Sequence, residues 1–284
     1  MTAKIEEDPH FKRILEFLLK AKGFDGHQYK VNYIKRRIAV RMRATGTSTY
    51  TEYFKTLQRD TLEPSHLLDR LTIHVTEFFR DPGVYKAIQE KILPIISEKP
   101  EKKLKIWCAG CSTGEEPYSV ALILADWVSS NPGLSYEIFG TDIDGPSVKT
   151  AERGEYHRDG LKNIPKAMIS RWFQMDEQKA WVSSELKKHV RFRVHNLLGS
   201  WGPGLDEFDL VFCRNLLIYL TGPEQQKIYE RFAKVLNPGG FLILGLTETL
   251  LGPSRNFFHC VDVKHRIYRS KINMDPLEEE RRSG

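Results

Sequence analysis

From residue 101 onward, short segments rich in β-forming residues alternate with helical patterns, and this alternation limits the 284-residue chain more than any other feature. KLKIWCAG, YEIFGTD, VRFRVHN, FDLVFCRN and GGFLILGL read as strands; PYSVALILADWVSS, DGPSVKTAERGEY and PEQQKIYERFAKVL read as helices between them. Such alternation argues a parallel, doubly wound α/β sheet. Ligands of such sheets bind outside the carboxyl ends of the strands, which is where the chemically interesting residues of this chain collect.

The preceding part follows another grammar. Residues 8–75 read as a small helical bundle. FKRILEFLLK places Phe11, Ile14, Leu15 and Leu18 at helical spacing, TYTEYFKTLQ and PSHLLDRLTI add two more helices, and Gly46 marks a turn. Between 30 and 43, Val31, Ile34, Ile38 and Met42 share one face, with six basic residues and no acid around them. Residues 1–75 hold fourteen Lys and Arg against nine Asp and Glu, so most of the net charge of +6 belongs to this part. A basic face of this kind expects an acidic partner. The segment lacks an aromatic stacking set or a nucleic-acid motif beyond its charge.

Composition narrows the class. With 40% hydrophobic and 28% charged residues, a soluble globular protein is expected. No segment approaches the ~20 apolar residues of a membrane span. The start, MTAKIEEDPH, does not read as a signal peptide. Four cysteines are too few for a disulfide scaffold, so reduced thiols in the cytoplasm are expected.

The most informative stretch is IWCAGCSTGEEPYS, a strand running into a small-residue turn and then a helix. Gly110-Cys111-Ser112-Thr113-Gly114 matches the G-x-S-x-G of a nucleophile elbow, but the chain upstream is helical and holds no HGGG-like oxyanion segment. Cys108 and Cys111 form a C-x-x-C pair without the second pair a zinc site needs, so no metal is expected. As a nucleoside site the turn is more coherent. Gly110, Ser112 and Gly114 allow close backbone approach, and Asp142 ends the next strand, placed to accept both ribose hydroxyls. A dinucleotide would set its pyrophosphate against Glu115 and Glu116 at the helix start. S-adenosylmethionine, with a ribose, a sulfonium and an ammonium, would not be repelled. Thr113-x-x-Glu116 also reads as a capping box that would occupy Glu116 structurally.

TEFFRDPGVY (76–85), CSTGEEPYSVA (111–121), FGTDID (139–144), FCRNLLIYL (212–220) and LNPGGFLILGLTE (236–248) together resemble the chemotaxis-receptor glutamate methyltransferases, the CheR family. The similarity runs from the helical bundle to about residue 270. It implies a class I S-adenosylmethionine-dependent methyltransferase, a Rossmann-like doubly wound sheet, with an all-helical domain over 1–75, a linker over 76–100 and the methyltransferase domain over 101–284. A small antiparallel β-subdomain would be inserted at about 172–193, with strands near Lys179–Ser183 and Val190–Val194.

Residue by residue, the resemblance implies that Thr76 and Arg80 lie over the methionine end of the cofactor. Glu116 would receive the ammonium and Asp142 the ribose, with Gly110, Ser112 and Gly114 forming the turn. Asn196 and Leu197 would border the adenine, and Arg214 and Asn215 of CRN would lie near the reacting centre. Arg80 and Tyr219 are the candidates for orienting the incoming glutamate. His74 stands where the family commonly has Asn. An imidazole replaces only one donor or acceptor of an amide, so His74 is either a cofactor contact or a packed histidine. Arg36, Arg37 and Arg41 are the expected docking cations for the helical signalling domains of methyl-accepting chemotaxis receptors. The turn DEQKAWVSSEL lacks a glycine-containing loop, so no C-terminal peptide tether is expected. The remaining expectations are a cytoplasmic monomer recruited to receptor arrays, without nucleic acid or membrane insertion. A cofactor-binding adaptor that transfers nothing, or a methylase of another acidic protein or of RNA, are the alternatives.

Overall fold

The computed structural model describes residues 8–72, 75–202 and 204–272. It divides into two units, Met1–Ile73 with Tyr219–Glu224, and His74–Ile218 with Gln225–Gly284.

The first unit is built on α1 (Pro9–Lys22), α2 (Val31–Ala44), α3 (Tyr50–Arg59) and α4 (Glu63–Leu71). Asp8 caps α1 by accepting from the His10 N–H, and Gly23 ends it in the left-handed region at φ 67°. The spacing of Phe11, Ile14, Leu15 and Leu18 buries all four against Tyr33, Ile34, Ile38, Tyr53 and Leu57. The capping box of α3 pairs Thr49 with Glu52 in both directions. On α2 the buried stripe differs from the one expected. Val31 is exposed, and Tyr33 takes its place in the core, its hydroxyl donating to the Leu71 carbonyl.

Arg41 also departs from expectation. Its guanidinium grips Glu63 through two bonds of 2.9 and 2.6 Å, and Tyr53 donates a third at 2.7 Å to the same carboxylate. The Glu63 side chain is 1% exposed. Burial alone would raise its pKa, but Arg41 and Tyr53 outweigh burial and hold it below the ordinary value. Arg41 is thus committed to an internal pair rather than to the docking role expected of it alongside Arg36 and Arg37. Arg41→Ala strands a buried carboxylate, so it is expected to cost about 3–5 kcal/mol, read as a lower urea midpoint at neutral pH. A midpoint unchanged from the parent would show that Glu63 finds another partner.

In the second unit, α5 (Pro82–Ala87) and α6 (Leu93–Ser97) frame a π-helical turn over Ile88–Ile92. The segment expected as a linker is therefore largely helical, and its Val84, Tyr85, Ile88, Ile92 and Leu93 join the core. Then follow β1 (Lys103–Ala109), α7 (Glu115–Ser130), β2 (Ser135–Asp142), α8 (Gly145–Arg153), β3 (Glu155–His157), α9 (Lys166–Trp172), β4 (Phe173–Met175), β5 (Lys179–Val182), α10 (Ser184–Lys187) and β6 (Val190–Val194). The chain continues through β7 (Phe208–Cys213), α11 (Gly222–Val235), β8 (Leu236–Leu244), β9 (Phe258–Asp262) and β10 (Ile267–Ser270).

Seven strands form one sheet in the order β6-β2-β1-β7-β8-β10-β9, parallel from β6 to β8 and antiparallel at β10 and β9. Every residue of β7 is buried, as a strand covered on both faces requires. Strand order reverses between β1 and β7, the switch point at which such sheets hold ligands. The class I methyltransferase architecture follows from this order.

The small antiparallel sheet is β3-β5-β4. This corrects the expected insert. Its first strand is Glu155–His157, well before residue 172, and Val190–Val194 pairs in parallel with β2 in the main sheet. The alternation of VRFRV marks a half-exposed strand, but β6 is half-exposed because it is the edge of the large sheet. Among the described residues no helix is long and apolar enough to cross a membrane.

Candidate functional site

Register brings the candidate residues together. β1 and β2 are aligned with Ala109 opposite Thr141, and β1 and β7 with Cys108 opposite Phe212. Gly110, Asp142 and Arg214 therefore leave their strands at the same end of the sheet. β6 is aligned with Asp142 opposite Val194, so Asn196 and Leu197 follow at that end too. The His195 N–H donates to the Asp142 carbonyl at 2.8 Å.

The turn after β1 is tight for identifiable reasons. The N–H groups of Gly110 and Cys111 both donate to the Thr141 carbonyl, at 2.7 and 2.9 Å. Gly110 sits at φ 78°, and a Cβ there would lie 2.8 Å from Leu216. Gly114, at φ 97°, is the residue before α7, and a Cβ there would meet Ala151 and the Tyr156 hydroxyl. The expected capping box does not form. Gly114 has no side chain to cap α7, and Thr113 bonds Glu115 at 2.7 Å instead. The Tyr156 hydroxyl, from β3, donates to the Thr113 carbonyl at 2.8 Å and ties the small sheet to the turn.

Asp142 is an organiser of this turn. Its carboxylate accepts from the Ser112 N–H at 2.8 Å and the Asp144 N–H at 3.0 Å. Cys108 and Cys111 are both buried, and burial pushes both thiols well above the ordinary range. Among the described residues no group of three or more His, Cys, Asp or Glu is arranged to hold a metal ion.

Arg214 is buried, its side chain 2% exposed, between two carboxylates. Its Nη2 meets Asp81 and its Nη1 lies 3.4 Å from Glu116. Burial raises the pKa of Glu116; Arg214 opposes this and nearby Glu248 adds to it, leaving the net above the ordinary value. The guanidinium also lies over the Tyr85 ring, 5.9 Å from its centroid. Asn215, at φ 59°, is held by Glu248, whose carboxylate accepts its N–H at 2.8 Å. Arg80 lies next to Asp81, and its guanidinium donates to the Val75 carbonyl at 3.0 Å. The Phe79 N–H donates to Ser119 of α7. Thr76 is half-buried; His74 lies outside the described residues.

Asn196 accepts from the Leu198 N–H at 2.9 Å, and the Leu197 carbonyl takes the Trp201 indole at 2.8 Å. Tyr219 belongs to the helical unit. There its ring lies 4.7 Å from that of Tyr33, and its carbonyl accepts from the Lys30 N–H at 2.9 Å.

Phe79, Asp81, Ser112 and Asn215 are all non-glycine residues at positive φ. Such backbone costs of order 1–3 kcal/mol per residue and collects where a site is held in one geometry. Four buried atoms here, Ser112 Oγ, Asn215 Oδ1, Arg214 Nε and Tyr85 Oη, make no hydrogen bond among the described residues. The sequence reading missed Asp81, Tyr85, Tyr156 and Glu248. Asp81 lies in DPGVY and Glu248 in LTE, and nothing local distinguishes a structural acid from a site acid.

Residues 74–267 match the family model described as CheR methyltransferase, SAM binding domain, and residues 9–72 match that of the CheR methyltransferase, all-alpha domain. The chain is 32% identical over 267 residues to a chemotaxis protein methyltransferase of Listeria monocytogenes, covering 91% of this chain and 99% of that one. It is 30% identical over 256 residues to the chemotaxis protein methyltransferase of Escherichia coli, covering 88% of this chain and 87% of that one.

Proposed function

This chain belongs to the CheR methyltransferase family, and on that footing we propose that it methylates glutamate side chains of chemotaxis receptors, forming γ-methyl esters. S-adenosylmethionine is its cofactor. The residues at the switch point fit that group. Among the described residues Ser112 Oγ and Asn215 Oδ1 are buried without a hydrogen-bond partner, and the carboxylates of Glu116 and Asp142 adjoin the same turn, suited to a ligand with an ammonium and a ribose. The observation that carries the reading is the Gly110–Glu116 turn tied to Asp142, small enough for a nucleoside and too acidic for a pyrophosphate.

Asp142 would hold the ribose, an ionised carboxylate having about four acceptor positions. Glu116, kept in place by Arg214, would take the ammonium, and Asn196 and Leu197 the adenine edge. Arg214 acts on the cofactor through Glu116. The cofactor supplies an electrophilic methyl group on its sulfonium. A glutamate has an ordinary pKa of about 4.3, so it is ionised at neutral pH and needs no general base. The residues of the chain then act by orientation. Arg80 would steer a carboxylate oxygen by a charge-assisted hydrogen bond. Arg36 is an exposed cation of α2 and Arg37 a half-buried one, suited to acidic receptor helices.

The test is methyl transfer from labelled S-adenosylmethionine to a receptor cytoplasmic fragment. Label released as methanol by mild base, and absent when the receptor glutamates are replaced, is the expected result. Base-stable label, or transfer to RNA alone, would refute the ester reading; cofactor binding without any transfer would favour an adaptor. Arg36→Glu is expected to raise the KM for receptor about tenfold, roughly 1.4 kcal/mol, with kcat little changed. An unchanged KM would remove α2 from docking.

A further inference from the structure

Glu248 belongs to the short segment after β8, and its side chain is buried although no cation pairs with it among the described residues. Its two oxygens are instead filled by backbone. One accepts from the N–H groups of Gly245 at 2.7 Å and Asn215 at 2.8 Å. The other accepts from Leu217 at 2.8 Å and Ile218 at 3.3 Å. Its own N–H donates to the Gly245 carbonyl at 2.8 Å, which closes the segment on itself.

This arrangement is specific to a carboxylate. Four N–H donors need four acceptor positions from one side chain. A glutamine would offer one oxygen and turn two donors of its own against two of these donors. An apolar residue would leave several N–H groups buried and unsatisfied. Burial raises the pKa of Glu248 while the four backbone donors oppose it. The chain accepts a buried charge here, and what it gains is one fixed shape for residues 215–218.

That shape has one consequence of chemical interest. Asn215 stands at φ 59°, a left-handed conformation that a non-glycine residue keeps only when its surroundings hold it. Its side-chain Oδ1 is buried and makes no hydrogen bond among the described residues. Gly245 packs directly on the same group, since a Cβ there would lie 2.8 Å from the Asn215 N and Nδ2 and 2.7 Å from Glu248.

We infer that Glu248 is a positioning residue for methyl transfer: its carboxylate gathers the 215–218 backbone and so presents the Asn215 amide to the reacting end of the cofactor. The inference rests on the proposed placement of Asn215 at the cofactor. If it is right, Glu248 matters to turnover only through Asn215, and a mutant cycle can show that.

The cycle compares Glu248→Gln, Asn215→Gly and the double variant in the full chain, by kcat/KM for methyl transfer and by calorimetric affinity for S-adenosylmethionine. Glycine deletes the Asn215 side chain while tolerating its backbone conformation. Each single change is expected to lower kcat/KM about 30-fold, and the double variant should be within about threefold of Asn215→Gly alone. Losses that multiply in the double variant, or a Glu248→Gln enzyme within twofold of the parent, would overturn the inference. Asn215→Gly indistinguishable from the parent in both affinity and turnover would instead overturn the placement of Asn215, and the inference with it. Should Glu248→Gln fail to fold, Gly245→Ala pushes on the same loop from the opposite side. The same non-additivity with Asn215→Gly is expected of it, and full additivity would count against the role.

Discussion

Asp142→Ala is expected to weaken S-adenosylmethionine binding by at least about 100-fold, with the same loss for S-adenosylhomocysteine. A hydrogen bond to a charged group is worth roughly 1.5–3 kcal/mol, so two ribose contacts together account for about 3–6 kcal/mol. The turn loses its tie as well, because Asp142 also accepts from the N–H groups of Ser112 and Asp144. Loss for both ligands is the discriminating feature, since the ribose is common to them and the sulfonium is not. Asp142→Asn keeps the shape but turns an amide donor towards one of those N–H groups, so its affinity should fall between parent and alanine. The melting temperature should move by only a few degrees, because Asp142 stands at the mouth of the sheet. Titration calorimetry decides the matter. Alanine and parent binding within threefold of each other would place the ribose elsewhere.

The position of Asp142 at the end of β2 was legible because its signal is local. A strand pattern, FGTDID, ends in an acid, and the periodicity that makes β2 also fixes where Asp142 emerges. The same holds for Gly110 and Gly114, whose positive φ values were implicit in a small-residue turn between strand and helix. The helices of the first unit were legible for the same reason, since Phe11, Ile14, Leu15 and Leu18 declare a buried face by spacing alone.

What stayed hidden depends on partners far along the chain. Arg41 looked like Arg36 and Arg37 in a basic run, and only the approach of Glu63 from α4 turns it inward. VRFRV alternates equally well at the edge of a parallel sheet and in a small antiparallel one, so its placement needed the register with β2. EYH is too short to show a period, and the insert therefore began earlier than expected. Glu248 lies in LTE, an unremarkable acidic neighbourhood, while three of its four donors lie some thirty residues upstream. Glu116 showed a related ambiguity. It was expected to cap α7 or to hold an ammonium, and the structure gives it a third partner, Arg214, that no spacing rule suggests.

That partner gives the other large effect. Arg214→Met is expected to destabilise the protein by about 3–5 kcal/mol, because it leaves Asp81 and Glu116 buried or half-buried with no cation between them. For a domain of this size that corresponds to a melting temperature lower by roughly 10 °C. Methionine fills most of the volume, so the loss reports charge rather than a cavity. Arg214→Lys should fall between the two, since one ammonium cannot span both carboxylates as a guanidinium does. The pH dependence supplies the sign. Burial already raises the pKa of Glu116, and Arg214 opposes that rise. Without Arg214 the native state binds protons more readily at Glu116, so the stability of the variant falls more steeply with rising pH than that of the parent. The gap between them should therefore narrow as the pH is lowered from about 8 towards about 5, the direction in which Glu116 is neutralised. A gap that stays constant across this range would mean that Arg214 contributes packing alone. Cofactor affinity should fall with it, because Glu116 loses the guanidinium that holds it in place for the ammonium.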